Sequence, residues 1–331
     1  MPIEIPLQDH LRFNREAVQA HAARLAQRGV YVGTSSWKYP GWRGMLYDET
    51  RYRFRGRLAE SRFERDCLRE YGEVFKTVSV DAAYYRFPDR GFLEGLMAQT
   101  PSDFLFGFKV TDEITVKRFP NLSRFGERAG QINPHFLDAE LFARAFLGPC
   151  EPFRERVGLL MFEFSRFYPA DFERGRDFVE ALDNFLEQLP KGWPYGVEIR
   201  NRHFLHRDYF ATLARHQVAH VFNYWAAMPP AEEQMAMAGS RTHPRLRAAR
   251  FLLAPGRSYA EAVKRFSPYT RALEVNTKAR AAGAQLLREG IAPENRDCKT
   301  FLYVNNRLEG NALETIAAML AEIEAPPGAP V

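Results

Sequence analysis

The stretch Tyr31–Trp42, YVGTSSWKYPGW, starts like a buried strand and then changes character. A glycine, three small hydroxyl residues and a tryptophan follow the first apolar positions, and a Tyr-Pro-Gly-Trp turn comes directly after them. Two interpretations are open. Either the strand ends at the mouth of a barrel, where small residues leave room for a ligand and Trp37 forms a wall, or Gly33 relieves crowding and Trp37 packs under a loop.

Apolar runs similar to this strand recur along the chain and alternate with amphipathic segments of helical spacing, such as RLAESRFERDCLREYG and TKARAAGAQLLREG. The candidate strands number eight and lie at 30–36, 77–83, 104–110, 158–165, 195–200, 218–224, 248–253 and 300–305. Eight repeats of strand and helix predict an α/β fold, a single (β/α)8 barrel of TIM type. An open doubly wound sheet is the alternative, but no glycine-rich phosphate loop follows the first strand.

The sequence predicts three parts along the chain. Residues 1–29 form an N-terminal extension whose helix, Arg15 to Gly29, caps the barrel; residues 30–323 form the barrel; and residues 324–331 form a flexible tail rich in proline and glycine. The longest irregular loops are expected after strand 3, from Thr111 to about Phe136, and after strand 6, from Ala226 to about Leu246. Both follow carboxyl ends of strands, where barrels carry their sites.

Composition restricts the class of protein. Hydrophobic residues make up 46% and aromatic residues 14% of the 331 positions, which favours a globular chain. A formal net charge of +5 suits a phosphate-bearing partner, although the arginines are scattered rather than gathered in one run. Three widely spaced cysteines fit a reducing compartment, and a charged N-terminus without a long apolar run predicts a cytoplasmic protein without membrane contact.

Alternation along the predicted strands directs polar residues into the barrel. In GVEIR the apolar Val197 and Ile199 face the helices, so that Glu198 and Arg200 face inward. The same rule directs further charged residues into one cavity: Asp81, Lys109, Glu163 and Arg250. Because an unpaired buried ion is costly, these charges form either a binding site or a purely structural ion network.

Metal binding is not expected. His203 and His206 lie three residues apart just beyond the fifth strand, but no third ligand accompanies them. The sequence therefore predicts no metal and no cofactor.

Five motifs run in a fixed order from residue 30 to about residue 312: VGTSSWKYPGWRGMLY, FKTVSVDAAYYRFPD, FLFGFKVTDEIT, YGVEIRNRHFL and FLYVNNRLEGNA. Together they resemble the YecE-like family catalogued as domain of unknown function 72. The resemblance implies a TIM-type barrel without a settled activity. The residues that match the family motifs are Gly33, Trp37, Tyr39, Tyr85, Arg86, Lys109, Glu198, Arg200, Asn305 and Asn306. The histidine that the family carries after Arg250 is absent from this chain.

Three functions are open at this point. The first is an enzyme, hydrolase or lyase-like, that acts on a phosphate-bearing or sugar-like ligand at the carboxyl-end mouth of the barrel. The alternatives are a nucleic-acid-binding or nuclease-like barrel, by analogy of fold, and a non-catalytic ligand-binding scaffold. The oligomeric state is left open.

The site residues follow from the enzyme interpretation. Glu198 is the expected acid or base, and Lys109 and Asp81 are expected to share in catalysis. The expected ligand-binding residues are Trp37, Tyr39, Tyr85, Arg86, Glu163, Arg200, Arg250, Asn305 and Asn306.

Overall fold

The computed structural model describes residues 13–324, which contain a closed barrel of eight parallel strands. The strands are β1 (Val30–Thr34), β2 (Thr77–Val80), β3 (Leu105–Lys109), β4 (Val157–Phe164), β5 (Tyr195–Ile199), β6 (Ala219–Tyr224), β7 (Leu246–Phe251) and β8 (Lys299–Val304). β1 pairs with both β8 and β2, which closes the barrel. The predicted α/β barrel is confirmed, and each predicted strand position overlaps one of these strands.

Helices surround the barrel and connect its strands. They are α1 (Arg15–Gln27), α2 (Glu60–Val74), α3 (Ala82–Tyr85), α4 (Arg90–Met97), α5 (Asp112–Thr115), α6 (Ala139–Phe142), α7 (Gly148–Cys150), α8 (Gly175–Gln188), α9 (Arg207–Arg215), α10 (Ala231–Ala236), α11 (Tyr259–Phe266), α12 (Thr277–Ile291) and α13 (Ala312–Glu324). The helix α1 begins at an Asn14 cap, whose side chain accepts a hydrogen bond from the amide of Ala17. The longer helices bury one apolar face against the strands.

Apolar side chains fill the barrel interior below its mouth. Tyr31 and Phe301 stack with ring centroids 5.0 Å apart, and Met161 and Val221 belong to the same buried cluster. A Cβ atom on Gly107 would lie 2.3 Å from the hydroxyl of Tyr303, so this glycine makes room for a tyrosine inside the barrel. The interior is therefore a packed core, and any site lies at one of its two ends.

Gly33 separates the two interpretations of the opening stretch. A Cβ atom there would lie 2.2 Å from the carbonyl oxygen of Thr77 and 3.0 Å from the Tyr71 hydroxyl, so the glycine relieves crowding between β1 and β2. Trp37 is only 6% exposed and packs within the core, and the Tyr47 hydroxyl donates a hydrogen bond to its carbonyl. Burial of Trp37 agrees with the second interpretation, and the expectation that Trp37 binds a ligand stays a prediction.

Several loop segments differ from expectation. The connection from β1 to β2 contains a two-stranded hairpin, Arg53–Phe54 with Arg57–Leu58, that the sequence did not reveal. The segment after β6, expected to be irregular, contains α10.

Residues 1–12 and 325–331 lie outside the described residues, as does nearly all of the predicted tail, and the division into extension, barrel and tail stays a prediction. None of the helices within 13–324 combines the length and the hydropathy that a bilayer crossing needs.

Candidate functional site

Six charged side chains converge at the mouth, where the strands end. Each was predicted from strand alternation, and they are Asp81 directly after β2, Lys109 at the end of β3, Glu163 in β4, Glu198 in β5, Arg200 directly after β5, and Arg250 in β7. Met161 and Glu163 are two residues apart on β4, so both side chains point into the barrel. Met161 lies in the apolar interior, and Glu163, nearer the carboxyl end, lies at the mouth. Register then sets Glu163 beside Glu198.

Glu163, Glu198 and Arg250 form the lower tier of this cluster, and their side chains are 2%, 0% and 3% exposed. The Nη1 atom of Arg250 donates to Glu198 Oε2 at 2.7 Å and to Glu163 Oε2 at 3.3 Å. Solvent has almost no access to these three groups, so their role is to position the more exposed charged side chains above them.

Asp81, Lys109 and Arg200 form the upper tier, and their side chains are 35%, 12% and 11% exposed. Glu163 Oε2 lies 2.5 Å from Lys109 Nζ and 2.9 Å from Arg200 Nη2. Asp81 Oδ1 lies 3.4 Å from Arg250 Nη2, and Glu198 Oε1 lies 3.2 Å from Arg200. The two tiers therefore form one network in which every charged group contacts at least one opposite charge.

The buried charges shift one another's pKa. Burial alone would raise the pKa of Glu163, but the positive charges of Arg200, Lys109 and Arg250 outweigh burial and hold it well below its usual range. Burial lowers the pKa of Lys109, and the carboxylates of Glu163 and Asp81 limit that fall. Glu163 is thus fixed as an anion and is unsuited to accept a proton near neutral pH.

Two aromatic rings that sequence reasoning missed line the upper tier. Lys109 Nζ lies 3.5 Å from the centroid of the Tyr84 ring, and the guanidinium of Arg200 lies 3.6 Å from the centroid of the Trp225 ring. Trp225 directly follows β6, so its position at a carboxyl strand end could have identified it. Tyr84 lies in the short helix α3, and only the fold of that turn brings it under Lys109.

Exposed tyrosines on the mouth loops carry an arginine beside each ring. Tyr85, Tyr168 and Tyr259 are 64%, 59% and 54% exposed. The distances from guanidinium carbon to ring centroid are 5.1 Å for Arg124 at Tyr85, 5.3 Å for Arg166 at Tyr168 and 4.5 Å for Arg307 at Tyr259. Tyr85 was expected here; the other two tyrosines and all three arginines were missed.

Arg86 and Tyr39, also expected to bind a ligand, lie outside the charged cluster. The Arg86 guanidinium is exposed and lies 3.9 Å from Asp89. Tyr39 is half-buried and packs against the rings of Trp42 and Tyr269, and burial raises its pKa to about 12. The contacts of Tyr39 stabilise the loop after β1.

Asn305 and Asn306 are buried and organise the loop after β8. Asn306 Oδ1 accepts hydrogen bonds from Trp42 Nε1 at 3.2 Å and from the Ala312 amide at 2.8 Å, which ties the loop after β1 to the start of α13. Asn305 Oδ1 accepts a hydrogen bond from the Arg307 amide at 3.0 Å. Their bonds account for a structural role, and the expectation that they bind a ligand stays a prediction.

The donors in the cluster do not fit a metal ion, because arginine or lysine contacts each carboxylate. Residues 13–324 contain no group of three or more His, Cys, Asp or Glu side chains arranged to hold one. His203 is exposed in the loop after β5, and His206 precedes α9.

Comparison with known proteins points to one family. The family model described as "Protein of unknown function DUF72" matches residues 31–330. Among curated proteins, the UPF0759 protein YecE of Escherichia coli strain K12 is 26% identical over 175 residues, which are 53% of this chain and 50% of that protein. The matched part of this chain thus spans about half the length of this curated relative.

Solved structures agree with the fold. A DUF72 family protein of Enterococcus faecalis V583 superposes with a TM-score of 0.58 at 18% identity, covering 90% of this chain and 96% of that one. A DUF72 family protein of Thermotoga maritima MSB8 gives a TM-score of 0.56 at 20% identity, covering 89% and 98%. At these identities the likeness shows the barrel fold and leaves the chemistry of the mouth to its own geometry.

Proposed function

This chain belongs to the family described as protein of unknown function DUF72, and from that premise we propose that it is an enzyme acting on a small hydroxylated anion, of sugar-phosphate type, at the barrel mouth. One observation carries the proposal. The upper tier of two cations and one carboxylate lies above a lower tier of two carboxylates and one cation. A ligand that enters the mouth therefore meets an excess of positive charge.

Lys109 and Arg200 are the groups suited to hold the anionic part of the ligand. The lower tier fixes both, through Glu163 at 2.5 Å and 2.9 Å, so little conformational entropy remains to be lost on binding. The arginine also presents a planar fork that matches two oxygens of a phosphate or carboxylate.

Asp81 is the carboxylate that a ligand can reach. Its side chain is 35% exposed, whereas Glu198 is fully buried and bonded to both Arg200 and Arg250. We therefore assign the acid or base role to Asp81, and Glu198, first expected in that role, becomes a positioning residue for the two arginines. Asp81 accepts a proton from a ligand hydroxyl while Lys109 and Arg200 offset developing negative charge.

The indole of Trp225 and the exposed rings of Tyr85 and Tyr259 are suited to stack on a ligand, which supports the proposal that the ligand contains a ring. Tyr85 and Tyr259 are 64% and 54% exposed, so a ligand at the mouth can reach both rings. Sugar rings present C–H faces that pack against such aromatic groups.

The experiment compares three probes: inorganic phosphate, ribose 5-phosphate and ribose. Thermal melts should show a larger rise in Tm with ribose 5-phosphate than with either part alone, and the rise should shrink with added salt. A panel of sugar phosphates followed by NMR then reports turnover. Asp81→Asn should keep the Tm shift and lower turnover about a hundredfold or more.

Asp66→Asn is the matched control, since the Asp66 side chain on α2 is 39% exposed and pairs with Arg65 rather than with a mouth residue. Binding without turnover by any member of the panel would favour a non-catalytic scaffold instead. No Tm shift with any probe would reject the site, because the network of three cations and three carboxylates would then be purely structural.

A second candidate, binding of single-stranded nucleic acid, rests on the three tyrosine and arginine pairs around the mouth. Exposed rings beside cations are the elements with which proteins stack bases and contact phosphates. Fluorescence anisotropy with a labelled oligothymidine tests it: affinity should fall with salt and with Tyr85→Ala or Tyr259→Ala. Equal affinity in the wild-type protein and both variants would reject this candidate.

A further inference from the structure

A cavity lies at the end of the barrel opposite the mouth, below the amino ends of β4 to β8. Its volume is about 610 Å³, and its lining includes the buried rings of Trp193 and Tyr195. We call it the basal cavity. The apolar interior around Met161 and Tyr303 separates it from the mouth, and none of the six charged mouth residues lines it. Its size is within the range of small-molecule sites.

Positive charge predominates around the basal cavity. Five cationic side chains line it against a single carboxylate, Glu155; they are Arg154, Lys191, Arg215, Arg245 and Lys299. Three of the five have partners: Arg215 contacts Asp183 at 2.6 Å, Arg154 contacts Glu151 at 3.1 Å, and Lys191 donates to backbone carbonyls at the end of α8. The remaining two need another explanation.

Arg245 and Lys299 are exposed, and within the described part of the chain neither has a carboxylate within 4.0 Å. They are neighbours, because the Lys299 amide donates to the Arg245 carbonyl at 2.9 Å. Lys299 shares the inward face of β8 with Phe301, so alternation directs its side chain into the basal cavity. Two neighbouring cations in a concavity, with no carboxylate of residues 13–324 within 4.0 Å of either, favour binding of an anion.

His243 adds to this arrangement. Its Nδ1 accepts a hydrogen bond from the Arg245 amide at 3.0 Å, which holds the loop that carries Arg245. Burial, and then the charge of Arg245, lower the pKa of His243. The surroundings of this imidazole thus disfavour its charged form, because burial and the neighbouring guanidinium act in the same direction.

We propose that the basal cavity binds a di- or triphosphate group through Arg245 and Lys299. A polyphosphate has several charged oxygens, so it can contact both residues at once and still reach the remaining donors of Arg154 and Lys191 around the rim. The concave shape and the size favour a small ligand over a nucleic-acid duplex. The group is either free or carried by a nucleotide.

Fluorine NMR distinguishes this cavity from the mouth. The chain has four tryptophans, and 5-fluorotryptophan gives each its own resonance: Trp193 reports on the basal cavity and Trp225 on the mouth. Trp193→Phe assigns the first signal. Inorganic pyrophosphate should shift the Trp193 resonance and leave that of Trp225 in place, which makes the result independent of the proposed mouth enzyme. Movement of Trp225 alone, or of neither signal, overturns the proposal.

Variants then test the two cations. Arg245→Gln with Lys299→Gln should weaken pyrophosphate binding by about tenfold or more, whereas Arg245→Lys with Lys299→Arg should retain most of the affinity. Arg69→Gln with Lys278→Gln is the control, because it removes the same charges at exposed positions outside the cavity. Equal weakening in the control overturns the proposal.

Two further ligands identify the chemistry. Tighter binding of ADP than of pyrophosphate supports the proposal and identifies a nucleotide; equal affinity supports it and identifies the phosphate group alone. Citrate carries similar charge without phosphorus, so binding of citrate as tight as that of pyrophosphate overturns the assignment to phosphate.

Discussion

The two ends of this barrel hold positive charge in different ways. At the mouth, Lys109, Arg200 and Arg250 lie on or directly after strands, and each contacts a buried carboxylate. At the base, Arg245 and Lys299 are exposed and have no carboxylate within 4.0 Å among residues 13–324. The mouth charges are therefore part of the folded core and the basal charges are not. Substitutions should cost stability at the mouth and affinity at the base.

The largest effect is expected at Glu163, since its carboxylate contacts all three cations of the mouth. Glu163→Gln leaves these cations with two carboxylates, and we expect the free energy of unfolding to fall by about 3–5 kcal/mol. Urea denaturation of the variant beside the wild-type protein measures the loss.

Glu140→Gln is the control for that substitution. Its side chain is 89% exposed and lies 3.7 Å from Arg144, so stability should change by less than about 0.5 kcal/mol. A loss of the same small size at Glu163 would show that the mouth network adds nothing to the fold, and the contrast between the two ends would disappear.

The next largest expected effect is the loss of stability at acid pH, and one group that causes it lies outside the mouth. His220 lies in β6, is buried against α9 and contacts the Tyr209 hydroxyl at 3.1 Å, and burial lowers its pKa to about 3. The unfolded chain takes up a proton here below the ordinary value of 6.5 while the folded protein does not. Stability is therefore lost as the pH falls from 6.5 towards 3, on the order of a few kcal/mol in total.

Protonation of Glu163 also lowers the free energy of unfolding, but at lower pH. Its pKa is lowered in the folded protein, so its contribution is present above the unfolded value of about 4.3 and is lost as the pH falls below it. His220→Asn should thus flatten the loss of stability between pH 6.5 and about 4.3, and Glu163→Gln should flatten it only below that range. Exposed His203→Asn is the control, and a flattening there equal to that of His220→Asn would reject the assignment.

The mouth network itself was predictable because strand alternation is a local rule. Phe106 and Phe108 face the helices, and Lys109 follows from them with no knowledge of the rest of the chain. Strand alternation does not predict the path of the loops. Tyr84 under Lys109 and Arg124 beside Tyr85 depend on how distant segments cross, and no spacing in the sequence encodes that.

Burial of Trp37 in the loop after β1 was one of two interpretations that the sequence left open. Trp37 and Tyr39 follow the carboxyl end of β1, where a barrel carries its ligand, yet Trp37 is buried and Tyr39 packs against the ring of Trp42. The basal cavity was missed for another reason: its cations lie at or before the amino ends of the strands, at the end of the barrel that usually serves stability.

Within the mouth, a smaller loss is expected at Asp81. Its side chain is 35% exposed and contacts one cation, at 3.4 Å, so water can replace much of the interaction. Asp81→Asn should lower the free energy of unfolding by less than about 1 kcal/mol in urea denaturation, well below the loss for Glu163→Gln. A loss as large as that for Glu163 would contradict the division of the mouth into two tiers.

The smallest effect is expected at the base. Arg245→Gln with Lys299→Gln removes two neighbouring cations that have no carboxylate within 4.0 Å in the described structure. Because like charges repel, the free energy of unfolding should stay within about 0.5 kcal/mol of wild type or rise slightly. Urea denaturation at low salt should show any gain, and salt should remove it, because exposed charges are screened. A loss above about 1 kcal/mol at both salt concentrations would mean that the basal cations stabilise the fold as the mouth charges do.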